Sequence, residues 1–251
     1  MQIKFKGNTY KVELWNFRGK QNTVTEALQL ALPEHAVISV AGAGGKTSLI
    51  FAWAKELASE GRRVAVTTTT HMSRHEYAFF SESGIAMEVS PDPDRPEKVK
   101  APSEEAMELL YGSFDAVLIE ADGSRRMPLK WPAPHEPVIP DRTDITVYVC
   151  GLSALGRPLS EVMYRAEHLP EAMRREAADE ALVAAVAASP DGGLKGARGE
   201  FRVFMNQADT AEAAASAEYI QKLLAVRGIQ SAWGSLRDRA LCGACPYQAR
   251  A

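Results

Sequence analysis

From Ala36 to Val40 the sequence runs apolar, and it passes directly into Ala41-Gly42-Ala43-Gly44-Gly45-Lys46-Thr47-Ser48. Ile50, Trp53, Ala54 and Leu57 follow at helical spacing. A strand, a glycine-rich turn and a helix in that order make a phosphate cradle. Glycines let the backbone curl with its N–H groups inward, the helix N-terminus adds positive partial charge, the lysine reaches the terminal phosphates, and the threonine hydroxyl can hold Mg2+. The expected phosphate-binding set is therefore Gly42, Ala43, Gly44, Gly45, Lys46, Thr47 and Ser48. The pattern GxxxxGK[ST] is incomplete, because Val40 stands where its first glycine belongs.

A second element ends where such a cradle needs carboxylates. Phe114 to Ile119 reads as a buried strand that closes on Glu120-Ala121-Asp122-Gly123. A carboxylate at that strand end can accept from Mg2+ and its waters, with Glu120 and Asp122 as competing candidates and Gly123 facing the terminal phosphate. The competing reading is a strand that simply ends in solvent. Ser124-Arg125-Arg126-Met127-Pro128-Leu129-Lys130 follows at once. Arg125 or Arg126 either neutralises transition-state charge or, with Lys130, grips an anionic second substrate, unless the loop is only solvated. After Val64-Ala65-Val66, the hydroxyls of Thr69 and Thr70 with His71 emerge at the same sheet edge and can orient Mg2+ waters or a substrate anion, unless the valines and threonines express β propensity alone. His71 and His75 would share a helix face if that turn were helical, but they lack a third zinc ligand. His135 and Glu136 sit in a proline-stiffened segment as a gate or a general base.

Asn206-Gln207-Ala208-Asp209 follows another apolar run and is similar to the NKxD signature of GTPases, with Gln for Lys. An aspartate can accept both N1–H and N2–H2 of guanine, and Asn206 can reach the N7 and O6 edge. Ser235 lies where a further base-contacting loop belongs. The alternative is a helix start capped by Asp209, which leaves ATP as open as GTP.

The elements that must position these residues alternate. Strands are expected near 36–40, 63–67, 115–120, 145–150, 202–206 and 230–233, with helices behind the glycine turn, over 177–188 and over 210–227, the first and last of them ending at Gly61 and Gly228. That is an α/β, P-loop NTPase-like fold with a mostly parallel sheet and helices on both faces. Residues 1–35 form a short N-terminal β/α appendage, in which Thr23-Val24-Thr25-Glu26 is a capping box opening a helix through Leu28, Leu30 and Leu32. Residues 36–251 form one nucleotide-binding domain. The runs 91–96 and 131–137 are Pro-rich loops.

A net charge of -3 leaves no basic excess for a nucleic-acid backbone. No apolar leader or membrane-length run is present, so a cytoplasmic protein with no membrane partner is expected. Three cysteines are too few for a disulfide framework, and Cys242 and Cys245 are either a thiol pair for sulfur, selenium or metal or incidental residues of a loose tail.

Val40 to Ser48, Val64 to His71, Ile119 to Arg126, Pro128 to Lys130, and His135-Glu136-Pro137 together resemble the YqeC-type accessory proteins of selenium-dependent molybdenum hydroxylases. Gly192 to Gly196 and Asn206 to Asp209 extend the likeness. The resemblance implies a nucleotide-hydrolysing protein, using GTP or ATP with Mg2+, that helps prepare or insert the cofactor of a molybdenum hydroxylase. Glu120-x-x-Gly123 also resembles metallochaperone GTPases, which work in pairs and suggest a homodimer. The turn GxxGKT is similar to the shortened loop of Mur-type ligases, which keeps a small-molecule kinase or ligase in view. A non-catalytic, nucleotide-responsive carrier of a cofactor or metal is the third reading.

Overall fold

The chain starts with a hairpin of β1 (Gln2–Phe5) and β2 (Asn8–Lys11). The structure, a computed structural model, describes residues 22–74, 78, 85–237 and 240–243, and the backbone of the hairpin. Thr23 caps α1 (Val24–Ala27) with both bonds of the capping box. The helix stops there rather than running through Leu32. Leu28 is its C-cap, Gln29 turns left-handed at φ 51°, and Pro33 disfavours helix at the residue before it.

Next come β3 (Ala36–Gly42), α2 (Lys46–Ser59) and β4 (Val64–Thr68). Short strands follow: β5 (His71–Ser73), β6 (Ala86–Met87), β7 (Ser90–Pro91) and β8 (Lys98–Lys100). Then α3 (Glu104–Ser113) leads into β9 (Ala116–Glu120), β10 (Leu129–Lys130) and β11 (Ile145–Gly151). The last part holds α4 (Leu159–Val162), β12 (Met163–Tyr164), α5 (Glu180–Ala187), β13 (Glu200–Asn206), α6 (Ala211–Ala225), β14 (Ser231–Ser235) and β15 (Ala240–Cys242). The helix α3 and the small strands were not expected from the sequence.

The main sheet has the order β15-β14-β13-β11-β3-β9-β4-β6, and its pairings are parallel except β14 with β15. Period-two alternation splits its side chains. On β11, Val147 and Val149 face α2 with Trp53 and Leu57, whereas Tyr148 and Cys150 face the side covered by α5 and α6. Leu110 and Tyr111 of α3 cover Val37, Ala65 and Val117. The fold is thus the P-loop NTPase-like doubly covered sheet. β9 and β11 flank β3, so the crevice beyond the C-terminal end of β3 is where the chain turns both ways, the position at which open α/β sheets bind ligands. A separate antiparallel sheet, β5-β8-β7, stands beside that edge.

Candidate functional site

The turn after β3 is built for glycine. Gly44 has φ 78°, and a Cβ there would lie 2.3 Å from Gly151 N; at Gly45, φ 126°, it would lie 2.2 Å from Asn206 Nδ2. This close approach lets α2 start at Lys46 with its N-terminus open to a cavity of about 680 Å3. By helix geometry the first N–H groups of α2 lack intrahelical acceptors, which leaves Lys46, Thr47 and Ser48 able to cradle an anion. Three of the expected amides are spent otherwise. Gly42 N–H donates to Asp122 at 3.1 Å, Ala43 N–H to Val149 O at 2.8 Å and Gly44 N–H to Met127 O at 3.1 Å. The turn is held by the neighbouring strand and by the loop after Asp122, so the phosphate-facing amides shift toward the helix side of the motif.

The two carboxylates of the acidic strand end part company. Glu120 Oε2 accepts from Thr47 Oγ1 at 2.9 Å and lines the cavity. Asp122 is 2% exposed and sits beneath the turn, ion-paired to Lys46 at 3.3 Å and to Lys130 at 2.9 Å. Asp122 is thereby a positioning residue for the turn rather than a metal ligand. The Thr47 hydroxyl and the Glu120 carboxylate are hard oxygen donors side by side, a set that fits Mg2+ completed by phosphates and water. Lys46 Nζ donates to Gly42 O at 3.0 Å and to Ser124 Oγ at 3.4 Å. Burial alone would lower its pKa, but Asp122 and Glu120 more than offset this and hold it above the ordinary value.

Lys130, expected to bind substrate, is buried. Its ammonium reaches Gly123 O at 2.6 Å, Glu136 Oε2 at 2.6 Å and Asp122, which uses all three of its protons inside the protein. Glu136 is also bonded by Arg165. Burial works to raise its pKa, and Lys130 and Arg165 outweigh that and lower it. The carboxylate is an anchor, which speaks against a general base. His135 is exposed at the cavity rim.

Ser124 to Met127 form a turn closed by Met127 N–H to Ser124 O at 3.0 Å, with Arg125 and Arg126 both at positive φ, 49° and 61°. Both line the cavity, as does Gly123, and Arg125 stacks on Tyr164, 5.1 Å from the ring centre. Thr70 and His71 line it too, and His71 Nε2 lies 3.2 Å from Asp92 Oδ2. Thr69 instead donates to Val138 O at 2.6 Å. His71 lies on β5, so the shared helix face is absent, and His75 is outside the described residues. Among the described residues no group of His, Cys, Asp or Glu could hold a metal unaided. Sequence reading gave no role to Arg95, Lys98 or Tyr164, which also line the cavity, as does Gln207 of the Asn206–Asp209 run. Nothing local marks the first three, since their neighbours in space are remote in sequence.

At the other end, Asn206 is buried and donates from Nδ2 to Gly44 O at 2.8 Å while Oδ1 accepts from Leu236 N–H at 3.2 Å. It ties the phosphate turn to the loop after β14 instead of presenting its amide to a base. Asp209 is not the helix cap, a role taken by Thr210. Its Oδ1 accepts from Ser235 Oγ at 2.6 Å, which joins the two loops expected around a base. Cys242 lies on β15, and Cys245 is outside the described residues.

A family model described as YqeC protein matches residues 38–167, from the strand before the glycine turn to just past Tyr164. YqeC of Escherichia coli (strain K12) is 41% identical over an alignment of 140 residues that covers 49% of this chain and 55% of that protein, so the match spans about half the length of this relative. Among solved structures, chloroplast FtsY from Physcomitrella patens is similar with a TM-score of 0.51 at 14% identity, over 86% of this chain and 64% of that one, a likeness of fold. With a little over half of its 251 residues matched, from the phosphate turn through the arginine turn, the chain belongs to the YqeC family.

Proposed function

We propose that the cavity binds a purine nucleoside triphosphate with Mg2+, GTP in preference to ATP, and that the chain is a slow NTPase serving as an accessory protein in the maturation of a selenium-dependent molybdenum hydroxylase. The observation that carries the nucleotide part is the Thr47–Glu120 contact of 2.9 Å beside Lys46 at the open N-terminus of α2. Lys46 and the first amides of α2 hold the terminal phosphates. Thr47 and Glu120 would hold Mg2+, which neutralises charge on those phosphates. Asp209, steadied by Ser235, supports the choice of guanine, because a carboxylate accepts from both N1–H and N2–H2, whereas adenine presents an acceptor at N1 and no amino group at C2.

The hydroxylase part rests on the resemblance of the sequence blocks around Glu120 and Thr67 to the accessory family. A cytoplasmic location and a homodimer belong to the same reading. Among the described residues no helix is long and apolar enough to cross a membrane. A cavity that reaches well past the phosphate turn favours a second reading, in which a phosphoryl or nucleotidyl group passes to a small-molecule acceptor.

Titration of the protein with GTP, ATP and CTP in the presence of Mg2+, with phosphate release followed in parallel, tests this. Selective GTP binding with slow hydrolysis is expected. Preference for ATP or CTP would remove the guanine assignment, and binding of none would remove the nucleotide site.

A further inference from the structure

Four cations line the cavity with no acidic partner among the described residues: Arg95 and Lys98 from the β5-β8-β7 side, and Arg125 and Arg126 from the turn after β9. The carboxylates of the cavity are already engaged, Glu120 with Thr47 and Lys46 and Glu136 with Lys130 and Arg165. The chain as a whole carries -3, so this is local segregation of charge and not a basic composition. A Mg2+-bound triphosphate has roughly two net negative charges, which Lys46 and the α2 N-terminus answer. Four further cations therefore exceed what the nucleotide needs.

The backbone adds an independent observation. Arg125 and Arg126 both adopt positive φ, where glycine or asparagine would fit without strain. A turn serving only to connect β9 to β10 gains nothing from arginine at these positions. Both arginines are held there against local preference and line the cavity, with Arg125 braced on Tyr164. Ser124, the first residue of this turn, accepts from Lys46 Nζ at 3.4 Å, so the arginine turn begins beside Lys46.

We infer that the cavity has a second subsite, beside the nucleotide site, that binds a small phosphate ester through Arg95, Lys98, Arg125 and Arg126 while the nucleotide occupies the first. This rests on the nucleotide reading above, and its test separates the two. Inorganic phosphate is titrated calorimetrically into protein saturated with Mg2+ and the non-hydrolysable β,γ-imido analogue of the preferred nucleotide. One equivalent is expected to bind, and Arg95→Ala with Lys98→Ala to weaken it about tenfold or more while nucleotide affinity stays within about twofold. Arg125→Gly with Arg126→Gly should weaken phosphate similarly while the thermal midpoint holds or rises, since glycine relieves the turn. No phosphate binding to the loaded protein, or equal weakening of phosphate and nucleotide in the Arg95/Lys98 variant, would overturn the subsite. If no nucleotide binds, the titration is made on the free protein. Phosphate binding that survives Lys46→Ala and is lost with Arg95 and Lys98 then supports the subsite alone, and the reverse pattern overturns it.

Discussion

Asn206 bonds Gly44 O at 2.8 Å and Leu236 N–H at 3.2 Å, so one buried amide spans the phosphate turn and the base loop. Asn206→Ala leaves both backbone groups unpaired and should cost about 1–3 kcal/mol each way the loop fails to recover. Denaturant melts check that cost, and nucleotide titrations of the same variant should show GTP and ATP weakened alike. Asp209→Asn is expected to behave differently, weakening GTP far more than ATP, because it exchanges an acceptor for a donor opposite N2–H2. Equal losses would leave Asp209 with a loop-joining role through Ser235. Glu136 supplies a pH prediction. Its folded pKa is held below the ordinary 4.5 by Lys130 and Arg165 against burial, so its stabilisation is present above that value and is lost as pH falls through the folded pKa. Between about pH 6 and about pH 3.5 the wild type should lose more melting temperature than Glu136→Gln.

At the level of elements, the phosphate turn depends on what lies behind each glycine. Gly44→Ala would push a methyl to 2.3 Å from Gly151 N on β11, a backbone atom fixed in the sheet, in addition to the strain at φ 78°. Its cost should exceed the roughly 1–2 kcal/mol of φ strain alone and be accompanied by lost nucleotide affinity. Gly61, φ 87°, ends α2 with open space around its Cα, so Gly61→Ala should cost only that strain and leave binding unchanged. Thermal melts with paired titrations distinguish the two. The long strands and the helices around them were legible because five to seven apolar residues, or several turns of helix, carry a clear period. The β5-β8-β7 sheet was not, since strands of two or three residues have no period to read. The helix α3 did carry signals in Ser103, whose side chain caps Ala106 N–H at 3.2 Å, and in Met107, Leu110 and Tyr111 at helical spacing.

For the molecule as a whole, β11 lies near the middle of the sheet, and its Cys150 reports on the integrity of the face covered by α5 and α6. Burial pushes this thiol up to about 12, so native protein should resist alkylation of Cys150 at neutral pH, with labelling appearing only as the sheet unfolds. Mass-spectrometric labelling along a denaturant series checks this, and rapid labelling without denaturant would show that the sheet opens locally. The sequence by itself determined the P-loop and the doubly covered sheet, because strand, glycine turn and helix are contiguous and their geometry is local. Tertiary structure decided the roles. Asp122 and Glu120 are two residues apart and chemically alike, yet one is sealed under the turn by Lys46 and Lys130 and the other opens on the cavity beside Thr47. Lys130 reads as a surface cation and is buried, and Arg95, read as part of a polar loop, lines the same cavity as Lys98 and the arginine turn. Residue type states which charge a side chain can carry. Which partner answers that charge, and whether water does, depends on segments far apart in the chain that only the fold brings together.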